Sequence, residues 1–102
     1  MNSSEIKRCM RAVENAISYV KTARSREEDS KTNLVNAKNN LKDALGGTPA
    51  SNMNSSIESL IKQCDNAISS LDDNLLRLKD IYSQYETDYK ESKNEIKVMF
   101  RG

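Results

Sequence analysis

The sequence predicts an all-α protein, an antiparallel two-helix hairpin with coiled-coil-like heptads. Apolar residues recur at alternating spacings of four and three in both halves of the chain. Apart from Gly102, all glycine and proline residues fall between Gly46 and Pro49. These residues are the strongest local breakers of regular structure, so the chain has one clear break near its middle. At 102 residues, with 36% hydrophobic and 30% charged residues, the chain is expected to be a single domain, residues 1–102, with a thin helical seam.

The second half carries the clearer heptad pattern. Its steps of four and three continue for six heptads, with one polar interruption at Ser92. A period of 3.5 sustained this far indicates a long helix packed as in a coiled coil. We call these seam positions a and d, and they are Ile57, Ile61, Cys64, Ile68, Leu71, Leu75, Leu78, Tyr82, Tyr85, Tyr89, Ser92, Ile96 and Met99. Leu60, Ala67 and Ile81 then lie at g and widen the apolar stripe on one side.

The first half follows the same frame with a polar interruption. Its apolar seam residues are Ile6, Met10, Val13, Ile17, Val20, Leu34, Leu41 and Leu45, and small residues stand at g (Cys9, Ala16, Ala23, Ala37 and Ala44). Within the stretch RSREEDSKTN the seam positions are Arg24, Glu27 and Lys31. The frame resumes in phase afterwards, and no glycine or proline intervenes, so we predict continuous helix with a polar inner face rather than a loop.

The expected boundaries are helix 1 at about 3–45, a turn at 46–50 and helix 2 at about 51–99. Ser3 or Ser4 is the predicted cap of helix 1. Gly46 or Gly47 is predicted to end it, and Thr48-Pro49 to begin helix 2, with a second start open at Ser55 and Glu58.

Folding back about this turn places residue i opposite roughly residue 98 − i. Arg24, Glu27 and Lys31 would then face Leu75, Leu71 and Ile68. Cys9 would face the Tyr89 region and Cys64 would face Leu34. The two cysteines would therefore be too far apart for an internal disulfide.

Helix 2 carries more apolar surface than helix 1 can cover. Lysine and arginine stems shield some of it, but burying one large side chain fully is worth about 1.5–3 kcal/mol, so exposed residues favour association. We expect a second copy or a different helical protein to complete a four-helix arrangement. The predicted partner interface is Ile57, Leu60, Ile61, Ile68, Leu71, Leu75, Leu76, Leu78 and Ile81.

Composition argues against several functional classes. The chain has no histidine, its two cysteines have no metal-binding spacing, and it contains no glycine-rich phosphate loop. We therefore expect no enzyme, no catalytic, cofactor-binding or metal-binding residues, and no cofactor. The net charge of +1 predicts neither nucleic-acid binding nor attraction to an anionic membrane. No apolar run is long enough for membrane insertion.

The first ten residues, MNSSEIKRCM, contain no apolar segment of the kind found in a classical signal peptide. The expectation is synthesis in the cytoplasm. If the protein is secreted, the route does not read such a peptide.

A chain of about a hundred residues with two long helices and a central glycine-containing turn, ALGGTPAS, resembles the WXG superfamily of small helical hairpins. That family is exported by type VII secretion systems of Gram-positive bacteria. The chain lacks the family's Trp-x-Gly turn and is most similar to the accessory hairpins that pair with LXG toxins. The resemblance implies a non-enzymatic partner that binds a helical toxin domain and is exported with it.

The family's export signal, Tyr-x-x-x-Asp/Glu, is matched once, by Tyr82 and Glu86 in YSQYE. The resemblance makes this pair a candidate export signal. Core packing is the alternative, because Tyr82, Tyr85 and Tyr89 all occupy seam positions and would lie against Ile17, Val13 and Met10.

Three other functions stay open. A coiled-coil adaptor or secretion chaperone would use the same apolar stripe and remain in the cytosol. A self-polymerising hairpin would form filaments. A nucleic-acid module is disfavoured, because the basic residues of the first half are interleaved with acidic ones and lack aromatic neighbours.

Overall fold

The computed structural model describes residues 1–44 and 51–101, with side chains described for 1–44 and 52–94. The described residues form two α-helices, α1 at Ser3–Ala44 and α2 at Ser51–Arg101. Within the described ranges there is no strand. The predicted all-α hairpin class is confirmed. The expected turn at 46–50, its caps and Leu45 lie outside the described residues, as do the side chains of Ile96 and Met99.

The polar stretch from Arg24 to Asn33 is helical throughout, as predicted. Arg, Glu, Lys and Ser tolerate helix at little cost. Arg24 also forms an ion pair with Glu28 one turn later, with Nη1 and Oε1 2.7 Å apart. Such i,i+4 pairs support a helix locally, so α1 crosses this stretch without an apolar inner face.

The cap of α1 is Asn2, and the prediction of Ser3 or Ser4 was wrong. The backbone N–H of Glu5 donates to the Asn2 side-chain oxygen at 2.9 Å, and the N–H of Ile6 donates to the Asn2 carbonyl at 3.0 Å. Asparagine satisfies a first-turn donor as well as serine does. The Ser3 hydroxyl instead contacts the Ser92 hydroxyl of α2, at 2.8 Å.

The chain divides into two compact units, and each helix contributes to both. Unit 1 contains Met1–Val20 and Asp73–Gly102, and unit 2 contains Lys21–Asp72. In each unit a segment of α1 pairs with an antiparallel segment of α2.

Unit 1 is held by contacts between opposite ends of the chain. Besides Ser3 and Ser92, the Tyr82 hydroxyl donates to Glu14 Oε1 at 2.9 Å. Ile6 is 4% exposed and is one of two buried hydrophobic residues in the described part of the chain. The tyrosines of α2 are half-buried, as their seam positions predict.

Unit 2 is held by three ion pairs between the helices. Arg24 pairs with Asp72, Lys31 with Asp65 and Lys38 with Glu58. Residue i therefore lies across from residue 96 − i, and the predicted 98 − i was off by two. Cys64, 8% exposed, is the second buried hydrophobic residue.

Candidate functional site

The nine residues of the predicted partner interface all lie on α2, and none of them is buried. In unit 2, Leu60 is 45% exposed. The other four, Ile57, Ile61, Ile68 and Leu71, are half-buried. Ile68 and Leu71 face the part of α1 that presents Arg24, Glu27 and Lys31 at its seam, so that part of α1 covers them incompletely.

In unit 1 the same helix exposes Leu76 by 63% and Ile81 by 45%, while Leu75 and Leu78 are half-buried. Ile81 stands at g, beside the seam. Leu76 stands one residue after an a position, at b, and is turned farther from α1. Each unit therefore leaves part of the apolar surface of α2 in contact with solvent, which favours association with another surface.

A repeating set of ion pairs, which the heptad analysis did not anticipate, joins the helices of unit 2. We call Arg24–Asp72, Lys31–Asp65 and Lys38–Glu58 the ion-pair ladder. Each cation occupies an a position of α1, and each acid occupies an e position of α2, the position after d. Both sets repeat every seven residues, so the signal was present in the sequence. A comparison of seam positions does not reveal the ladder, because its acids stand at e, outside the seam.

The ladder contacts are short. Lys31 Nζ lies 2.6 Å from Asp65 Oδ1, and Lys38 Nζ lies 2.8 Å from Glu58 Oε1. Arg24 makes two bonds to Asp72, from Nε at 2.5 Å and from Nη2 at 3.4 Å. Charge-assisted bonds of this kind are directional, and all three pairs fit the same 96 − i alignment of the two helices.

Contacts within the ladder shift the pKa of Arg24, Lys31 and Glu58. The hydrogen bond to Asp72 raises the pKa of Arg24, and the hydrogen bond to Asp65 raises the pKa of Lys31. The hydrogen bond from Lys38 lowers the pKa of Glu58. Every shift favours the charged form, which is the expected effect of an opposite charge in contact.

The side chains of the polar stretch find acidic partners on α2, Asp72 for Arg24 and Asp65 for Lys31. Lys31 also lines one groove with Ile68, the residue it was predicted to face. The positions of Leu75 opposite Arg24 and of Leu71 opposite Glu27 stay predictions. Burial is the first cause that raises the pKa of the Cys64 thiol, and Glu27 is the second.

A shallow groove of about 420 Å³ lies beside the ion-pair ladder of unit 2. Val35 and Ile68 give it apolar walls, and the Lys31–Asp65 pair crosses it. Val35 is 36% exposed. The groove is thus part apolar and part ionic.

The tyrosines of unit 1 make specific polar contacts as well as packing contacts. The Glu14 hydrogen bond is the main cause that raises the pKa of Tyr82, and a Cys9 hydrogen bond is the main cause for Tyr85. Tyr89 lies between two ammonium groups, with Lys93 Nζ at 5.0 Å and Lys7 Nζ at 5.7 Å from its ring centre.

The Tyr82 hydroxyl bonds to Glu14, and the Lys7 ammonium lies near the Tyr89 ring. The packing of Tyr82, Tyr85 and Tyr89 against Ile17, Val13 and Met10 stays a prediction.

The candidate export pair, Tyr82 and Glu86, lies one turn apart in unit 1, with both residues half-buried. The negative charge of Glu86 is a minor cause that raises the pKa of Tyr82. The hydroxyl of Tyr82 already bonds to Glu14, so this tyrosine has a structural contact whether or not it is a signal.

Both cysteines are free, Cys9 half-buried in unit 1 and Cys64 buried in unit 2. Among the described residues there is no group of three or more potential ligands that could hold a metal ion. Neither helix, over its described length, has a segment long and apolar enough to cross a membrane.

Comparison of the chain with protein-family models, with curated proteins and with solved structures finds no match.

Proposed function

We propose that this chain is a non-enzymatic helical binding protein that binds a helical domain of a secreted toxin and is exported with it by a type VII secretion system. The single observation behind the binding role is the incomplete burial of α2. In the described chain only Ile6 and Cys64 are buried hydrophobic residues. A partner helix that covers Leu60, Leu76 or Ile81 gains the free energy of removing that surface from water.

The export role rests on the resemblance to the WXG superfamily and on the Tyr82–Glu86 pair. Its test is detection of the chain in the culture supernatant of the producing bacterium, with a cytoplasmic marker absent from the same fraction. Retention in the cell, with a helical partner bound there, favours the cytosolic adaptor or chaperone.

The candidate signal is tested by Tyr82→Ala and Glu86→Ala, with Glu14→Ala as the matched control. All three change one residue of the same cluster, but only the control lies outside the motif. Export lost in the first two and kept in the third supports a signal. Export lost in all three assigns the defect to disruption of the cluster around Tyr82 rather than to the motif, and normal export in all three removes the signal role. Circular dichroism of each purified variant shows whether the helices persist.

A further inference from the structure

The two sides of unit 2 differ sharply in charge. Of the thirteen e and b positions within 21–44 and 52–72, seven carry a charged residue, and these positions form the ladder side. Of the thirteen g and c positions in the same ranges, Arg26 is the only charged one. We call this second set the uncharged side. The three ladder acids all lie on the ladder side. The observed ion pairs and the sequence therefore give the same separation of charged and uncharged residues.

Among the described residues of unit 2, the uncharged side also holds the most exposed large apolar side chains. Leu60 is 45% exposed and Met53 is 47% exposed. The 96 − i pairing places Ala37 across from Ser59, next to Leu60, and Ala44 across from Asn52, next to Met53, and both alanines are exposed. A methyl group cannot cover a leucine or a methionine, so these two side chains stay open to a neighbouring helix. The small residues of α1 let that helix approach closely.

A second copy of the chain fits this side. A two-fold symmetric interface brings the same patch of both molecules together, and therefore brings like charges together wherever the patch is charged. Contact through the ladder side would remove ion pairs from water, which is costly unless every charge keeps its partners. Contact through the uncharged side removes apolar surface from water. It involves one charged residue, Arg26, which stands at c, away from the seam.

The dimensions agree with a stable dimer. The α1 segment of unit 2, residues 21–44, is about 36 Å long at 1.5 Å per residue, and two adjacent helices are roughly 20 Å wide. The side therefore offers on the order of 700 Å² per molecule, close to the ~800 Å² per partner of a standard interface.

We propose that the uncharged side of unit 2 is a self-association surface, through which two copies pair by Leu60, Met53 and the small residues of α1. This inference rests on the binding role proposed above but not on export. The dimer is the form of the chain on its own, before it meets a different helical partner.

The test is sedimentation equilibrium of the purified full-length chain and of two matched variants, Leu60→Glu and Leu76→Glu. Both replace an exposed leucine of α2 by glutamate, at g on the uncharged side of unit 2 and at b in unit 1. The wild type is expected to dimerise at micromolar concentration. Leu60→Glu is expected to raise the dimer dissociation constant at least about tenfold, a typical effect for a central interface residue, and Leu76→Glu to change it less than about threefold.

A second pair of variants, both on α1, shows whether Leu60→Glu weakens the dimer only through a folding defect. Ala37→Lys places a charge on the uncharged side, and Val35→Lys places one on the ladder side. Both positions are exposed, and circular dichroism should show equal helix content. Ala37→Lys is expected to weaken the dimer and Val35→Lys to preserve it. A monomeric wild type at 100 µM overturns the proposal. Equal weakening of the dimer by the test variants and their controls also overturns it, as does greater weakening by the controls, Leu76→Glu and Val35→Lys. Because the assay contains only this chain, a failure to be exported leaves its result unchanged.

Discussion

Single residues stabilise this molecule unequally, because few of them are removed from water. Ile6 is 4% exposed and packs where the first turn of α1 meets α2 in unit 1. We expect Ile6→Ala to lower the free energy of unfolding by about 2–4 kcal/mol, since it deletes buried carbons and leaves a cavity. Val35→Ala, at a position 36% exposed, should change it by less than about 1 kcal/mol. Urea denaturation followed by circular dichroism measures both, and equal effects would contradict the burial pattern.

The chemical reactivity of Cys64 gives a second test at the scale of a single residue. Burial blocks access to its thiol and raises its pKa, which leaves less of the reactive thiolate. We expect iodoacetamide at pH 8 to modify Cys64 at least about tenfold more slowly in the folded protein than in urea. Mass spectrometry of the digested protein reports each site separately. Half-buried Cys9 is the internal comparison, and an equal rate at the two cysteines in the folded chain would argue against burial of Cys64.

Within the paired helices, the ion-pair ladder specifies register. Lys38→Glu places two acids together where Lys38 and Glu58 were bonded at 2.8 Å. The melting temperature should fall by at most about 4–8 °C, because these pairs are exposed and such pairs are weak. The double variant Lys38→Glu with Glu58→Lys should recover most of the loss. Thermal melts of the wild type, Lys38→Glu, Glu58→Lys and the double variant form a double-mutant cycle. A double variant as unstable as Lys38→Glu would show that the pair does not interact.

The pH dependence of the ladder has a definite sign. The folded-state pKa of Glu58 lies below its ordinary value of 4.5. Its contribution is therefore present above that value and is lost as the pH falls through the lower folded pKa. Melting temperatures measured from pH 7 down to pH 2.5 should decline more for the wild type than for Glu58→Gln, which cannot lose this charge. Parallel curves for the two proteins would mean that Lys38 does not perturb Glu58.

At the other end of the pH range, the pKa of Lys31 is raised above 10.5 by Asp65. The contribution of Lys31 is complete below that pH and is lost as the pH rises through the folded pKa. Both signs follow from one cause, namely a partner that favours the charged form.

At the scale of the whole molecule, Leu60, Leu76 and Ile81 are the exposed apolar residues of the predicted interface. If a second copy covers part of this surface, mass action makes stability depend on concentration. The melting temperature should therefore rise between 1 µM and 100 µM, and the transition should sharpen. Differential scanning calorimetry at the two concentrations measures both effects. A cooperative melt that is identical at both concentrations would show that each chain is stable alone.

The sequence by itself determined the two helices with their approximate boundaries, the helical state of the Arg24–Asn33 stretch and the seam positions of α2. These are local properties, because a period of 3.5 and the absence of glycine and proline act within one helix. Only the tertiary structure decided the register and the ladder on one side of unit 2. Those features depend on contacts between residues distant along the chain, 20 apart for Lys38–Glu58 and 48 apart for Arg24–Asp72. The cap is a local feature, but the sequence offers Asn2, Ser3 and Ser4 as adjacent candidates, and the structure selects Asn2. Seam periodicity cannot detect a two-residue slide of one helix along the other, because side-chain pairing energies between the helices choose among such registers.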